Sequence, residues 1–359
     1  MSRVSCSTLT EVLMRPEQAT SITMQQWDLL LRQAREAGLL SRLALTLQAH
    51  KLLAELPDRV VQHLESSIVY AERQQQVVRW EVRCIQAALT TAKQSVVLLK
   101  GAAYVIANLP AARGRVFADI DLLTDKSKLD KVEQALFAAG WVTTHHDTYD
   151  QRYYRQWMHE LPPMQHIQRR SVLDVHHNIL PETARANPDA KLLLENIECV
   201  DERKGIYVLS TEDRIIHSAT HLFFDGEFEH GLRDLLDMHD LMIAANQKEG
   251  FWESLLSRAR QLTLSRPLYY ALTQVKRLYQ TPVPDGVISE LRKQEVGLLR
   301  DWLMKKVFHY SLLPPHSSCR SLMTSIAMQF LYLRAHYLRM PLHLLIPHLT
   351  RKAFRSDDK

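Results

Sequence analysis

Val96-Val97-Leu98-Leu99-Lys100-Gly101 and, a short segment later, Asp119-Ile120-Asp121-Leu122-Leu123 decide how this chain is read. The first stretch is an apolar run closed by a glycine turn, the pattern of a buried strand. The second sets two acids at alternate positions inside another apolar run. Successive side chains of a β-strand point to opposite faces, so Asp119 and Asp121 share one face while Ile120 and Leu122 enter a core. Two carboxylates about 7 Å apart along a strand can both reach a divalent ion. A third acid in a β-like run, Asp174 of Val172-Leu173-Asp174-Val175-His176, is the candidate to complete the set. A lone D-x-D is more often the solvent face of an edge strand. The succession of Lys-Gly, D-x-D and a later strand acid is what turns the reading toward a site.

Outward from these strands, residues 102–108 read as a short helix ending at Leu109-Pro110, and Arg113-Gly114-Arg115 as a polar turn before a strand over 117–123. Ser127 and Asp130 form a capping pair for a helix that buries Leu129, Val132 and Leu136 and stops at Gly140. Residues 141–144 predict a third strand, and 164–168 with 172–176 a hairpin. Residues 21–92 are helical by periodicity, with Trp27, Leu30, Leu31 and Ala34 on one face and Gly38 as a stop. Helical patterns return over 211–224, 231–246, 251–261, 267–279, 287–308 and 319–340. The expected fold is an α/β (α+β) core with a small mixed sheet, helices on one side, flanked by N-terminal and C-terminal helical regions, mostly helical overall. The chain divides into 1–92, 93–208 and 209–359.

At 359 residues and 46% apolar composition the chain can bury substantial cores, and its 10 glycines suit a helical protein. The net charge of +5 and the lack of a basic stripe interleaved with aromatics argue against a long nucleic-acid partner. Cys6, Cys84, Cys199 and Cys319 lie far apart without a C-x-x-C pair, which argues against a disulfide framework or structural zinc and suits a reducing cytosol. Residues 1–16 lack the apolar core of a secretory signal, and no apolar run approaches a membrane span. A cytoplasmic protein is expected.

Lys100-Gly101, Arg115 four residues before Asp119-Ile120-Asp121-Leu122-Leu123, and Leu173-Asp174-Val175-His176 together resemble the uncharacterised nucleotidyltransferase family of the polymerase-β-like superfamily. The likeness runs from about residue 85 to 245 and takes in Leu232-Arg233-Asp234-Leu235-Leu236-Asp237. Most enzymes of the superfamily carry Gly-Ser where this chain, like the family it resembles, has Lys100-Gly101. The resemblance implies transfer of an NMP from an NTP to a sugar, small molecule or protein, in bacterial biosynthetic settings such as surface polysaccharide production. It implies two Mg²⁺ ions on Asp119, Asp121 and Asp174, with Asp174 helping to deprotonate the acceptor. Arg115, Lys100 and, less directly, Arg113 would hold the triphosphate. His176 shares a face with Asp174 and is read either as its partner or an acceptor-side base, or as a satisfied structural histidine. A non-catalytic nucleotide-binding or scaffold protein on the same fold, or a protein-nucleotidylating enzyme of antitoxin type, are the competing expectations.

Three further patterns carry weaker signals. His217 and His221 have the i, i+4 spacing of a helical metal pair but lack a third ligand and the glutamate of H-E-x-x-H, so packing against the core is the better reading. Arg233 and Asp237 form an i, i+4 pair of opposite charge, either helix support or a cleft-facing surface. The basic, apolar stretch from Arg339 to Arg355 fits peripheral contact with a membrane or a protein partner, though such segments more often pack on their own protein.

Overall fold

A computed structural model describes residues 6–144, 147–226, 228–341, 343 and 345. Seven strands among them form one mixed sheet: β1 (Val96–Leu98), β2 (Asp119–Leu123), β3 (Trp141–Thr143), β4 (Met164–His166), β5 (Val172–His176), β6 (Ile197–Asp201) and β7 (Ile206–Leu209). Their spatial order is β3-β4-β5-β2-β1-β7-β6. β1 is buried at every residue, as an interior strand with no polar position must be. It runs antiparallel to β2 and parallel to β7, while β2 runs parallel to β5. The strands that carry the acids therefore lie side by side at the centre of the sheet.

The helical lead-in forms as its periodicity predicts, as Met24–Glu36, Leu40–Ala49 and the long Asp58–Thr91 helix. Four local expectations need correction. The short helix after β1 starts earlier, spanning Lys100–Ile106. The helix after β2 is not capped by Ser127; the Asp125 carboxylate accepts from the Ser127 backbone N–H at 2.8 Å and closes a 3-10 turn ahead of Leu129–Ala138. The pattern over 287–308 is two helices, Asp285–Glu295 and Leu298–Ser311, parted by extended Val296 and Gly297. Two strands were not foreseen: β6 carries exposed Glu198, Cys199 and Val200 at the sheet edge, and β7 follows it after the left-handed Gly205. Polar composition hides such an edge strand from any hydrophobic pattern.

One hydrophobic cluster runs from Leu9 to Leu331 and takes in residues of the sheet and of the helices before and after it in the chain. A disulfide joins Cys6 to Cys319, contrary to the expectation from their separation. Sequence spacing does not reveal that the first helix, Thr8–Met14, and the turn at Ser317–Cys319 are neighbours; Gln33 Nε2 donates to Ser318 Oγ at 3.0 Å in the same place. No helix among the described residues is long and apolar enough to cross a membrane. Most of the stretch from Arg339 to Arg355 lies outside the described residues.

Candidate active site

The register of the central strands brings the acids together. In the parallel β2–β5 pair, Asp121 stands directly opposite Asp174 and Asp119 opposite Val172. Neighbouring strands lie about 4.8 Å apart, so Asp121 and Asp174 share a face, with Asp119 two residues back on the same face. β1 delivers Lys100 to the edge of this group. The Leu99 N–H donates to the Asp121 carbonyl at 2.9 Å, and Lys100 Nζ donates to Asp121 Oδ1 at 3.2 Å. Lys100 has φ +44°, a left-handed conformation that costs an L residue about 1–2 kcal/mol and is held here by the surrounding packing. Gly101 follows because nothing larger fits: a Cβ there would lie 2.8 Å from the Phe117 ring and 3.0 Å from Arg115 Nε.

Electrostatics divide the three aspartates. Asp121 is buried, which opposes its ionisation. Lys100 and the 3.0 Å contact from His176 Nε2 outweigh that and hold it well below the usual carboxylate range. Burial, then the charges of Asp121 and Glu160, push Asp174 up to about 7. Its Oδ1 is buried without a hydrogen-bond partner. Asp119 opens to the cleft, and partial desolvation followed by the charge of Asp121 raises it too.

Above the acids lies a cleft of about 210 Å³, walled by Lys100, Gly101, Arg115, His221, Arg233 and Asp234 and floored by Asp119 and Asp121. Arg115 is already engaged. It pairs with Asp237, lies 3.7 Å from Asp234, and sits against the Tyr104 and Phe117 rings at 5.6 and 6.0 Å. Arg233 pairs with Asp234 at 3.0 Å, so the sequence pair Arg233–Asp237 does not form; each residue has a different partner. Arg113 lines another depression, of about 230 Å³, with Arg42, His239 and Asp240. There Arg42 donates to the Arg113 carbonyl at 2.9 Å and pairs with Asp240, tying the Leu40–Ala49 helix to the Arg113–Arg115 turn and to the Gly231–Ala245 helix. His217 is buried, and His221 reaches the cleft from a π-helical turn, His221–Asp225, a form that often marks functional positions. Burial first, then the charge of Lys100, lowers both imidazoles, His221 to about 3.

His159 and Glu160 escaped the sequence reading. Glu160 forms an isolated antiparallel bridge with His176, whose Nδ1 lies 3.3 Å from Glu160 Oε2. Among the described residues, the group of three metal-ligating side chains whose donor atoms lie within 4.8 Å of one another is His159, Glu160 and His176, not the three aspartates. Their segment has no strand periodicity, so only the bridge to β5 reveals them.

A family model described as uncharacterised nucleotidyltransferase matches residues 23–280. The chain belongs to that family. The match begins in the helical lead-in and extends well beyond the stretch that carries the motifs. As a member, the chain is a nucleotidyltransferase of unknown specificity on a mostly helical fold with one mixed sheet. No curated protein and no solved structure matches this nucleotidyltransferase.

Proposed function

We propose that this nucleotidyltransferase moves a nucleoside monophosphate from an NTP to an acceptor hydroxyl or phosphate, using Mg²⁺ held by Asp119, Asp121 and Asp174. The observation that carries the reading is the cross-strand pairing of Asp121 with Asp174, with Asp119 on the same face beneath a cleft. The donor set suits the ion: all three are hard oxygen ligands, Asp119 faces the cleft, and buried Asp174 Oδ1 has no other partner. Bound divalent ions would neutralise charge on the attacking and leaving oxygens of an in-line displacement at phosphorus.

The chain's own residues supply the rest. Asp174, as a ligand of the ion nearest the acceptor, would help to deprotonate the acceptor hydroxyl. Lys100 places a cation at the end of β1, where it offsets phosphate charge as a point charge. Arg115, committed to Asp234 and Asp237, builds the cleft wall. His176 steadies Asp121 from below. The acceptor class stays open between a sugar, a small molecule and a protein side chain.

Calorimetric titration of each NTP in the presence of Mg²⁺ tests this, on the wild type and on Asp119→Asn. Asp119 is exposed, so its isostere preserves the fold. Metal-dependent binding of one or more NTPs that Asp119→Asn weakens at least tenfold is expected. No NTP binding to the folded wild type, or equal binding by the variant, would overturn the assignment.

A further inference from the structure

We propose that His159, Glu160 and His176 form a second cation site, for a transition-metal ion of the Zn²⁺ class, beside the three aspartates. The backbone builds it. Leu161 N–H donates to the Val175 carbonyl and His177 N–H to the His159 carbonyl, each at 2.8 Å, locking 159–161 alongside β5 with Glu160 opposite His176. The three side chains then offer donor atoms within 4.8 Å of one another, in a buried setting.

The donor atoms are turned as a metal requires. His176 directs Nε2 to Asp121 Oδ1 at 3.0 Å, and when it donates there its other nitrogen carries the lone pair. That nitrogen, Nδ1, is the one facing Glu160 Oε2 at 3.3 Å. Asp121, His176 and the ion would form the carboxylate–histidine–metal arrangement that fixes tautomer and ring orientation. His159 is 8% exposed, and its Nδ1 is buried without a hydrogen-bond partner. Burial disfavours the protonated form of its imidazole. Its ring lies 5.3 Å from that of His176, tilted by 34°.

Two imidazoles and a carboxylate select borderline ions such as Zn²⁺ or Co²⁺ and leave a coordination position open. Mg²⁺ prefers the all-oxygen aspartates. The site stands independently of nucleotide turnover.

The test is a Co²⁺ titration of untagged, metal-free, full-length protein, followed by visible absorption and by calorimetry. One Co²⁺ per chain is expected, displaced by equimolar Zn²⁺ and retained in excess Mg²⁺. His159→Gln and Glu160→Gln should each weaken binding by about 10- to 100-fold, while Asp119→Asn leaves it unchanged. Two results would overturn the proposal: no Co²⁺ bound by the folded wild type, or binding that Mg²⁺ or Asp119→Asn abolishes and His159→Gln preserves. The second would place the ion on the aspartates.

Discussion

Replacing Asp174 by asparagine should stabilise the metal-free protein above neutral pH while removing its function. Asp174 shares its face with Asp121, lies near Glu160, and has an unpartnered buried oxygen. Folding raises its pKa from the ordinary aspartate range to about 7. At 1.36 kcal/mol per unit, ionised Asp174 costs the folded state at most about 4 kcal/mol, and water screening at this half-buried side chain reduces that to about 2. The sign follows from proton binding. Between pH 4 and 7 the folded chain holds a proton at Asp174 that the unfolded chain releases, so wild-type stability falls as pH rises through this window and levels off above it. Asparagine carries no such charge. Urea unfolding of wild type and Asp174→Asn in chelator, at intervals from pH 4 to 8, should therefore give curves that nearly coincide at pH 4 and part by about 2 kcal/mol at pH 8, the variant being the more stable. Adding Mg²⁺ at ten times its Kd should raise the wild type alone by about 1.4 kcal/mol. A variant that is less stable at pH 8, or a gap independent of pH, would refute the electrostatic account.

Further expectations follow from particular contacts. Gly101→Ala forces a Cβ against the Phe117 ring and Arg115 Nε, so it should cost about 1–3 kcal/mol in urea unfolding and weaken NTP binding. Gly286→Ala, inside the Asp285–Glu295 helix with open space at its Cβ, should leave NTP binding unchanged and raise stability by at most about 1 kcal/mol. Asp237→Asn leaves the Arg115 guanidinium buried with only Asp234 at 3.7 Å, and a loss of about 3 kcal/mol is expected by the same assay. Arg42→Ala removes its contacts with Asp240 and with the Pro110 and Arg113 carbonyls. Amide exchange over 111–116 should then accelerate at least tenfold, and unchanged protection there would show that the lead-in helices do not brace the turn.

What the sequence determined by itself is what neighbouring residues dictate. The 3.6-residue period placed the Met24–Glu36, Leu40–Ala49 and Asp58–Thr91 helices, and strand alternation put Asp119 and Asp121 on one face. The order of Lys100-Gly101, D-x-D and D-x-H was enough to suggest the family. Tertiary structure decided the remainder, because it depends on pairings between distant segments that no local pattern encodes. Asp174 meets Asp121 only because β5 pairs in parallel with β2 in this register; a one-residue slip would turn it to the other face. Glu160 and His159 join His176 through a bridge formed by a segment with no strand period. Arg115, which sequence offered to phosphate, is claimed by Asp234 and Asp237 of the Gly231–Ala245 helix, since a guanidinium buried against Tyr104 and Phe117 requires a countercharge. The polar edge strand β6 and the Cys6–Cys319 link are likewise properties of proximity in space.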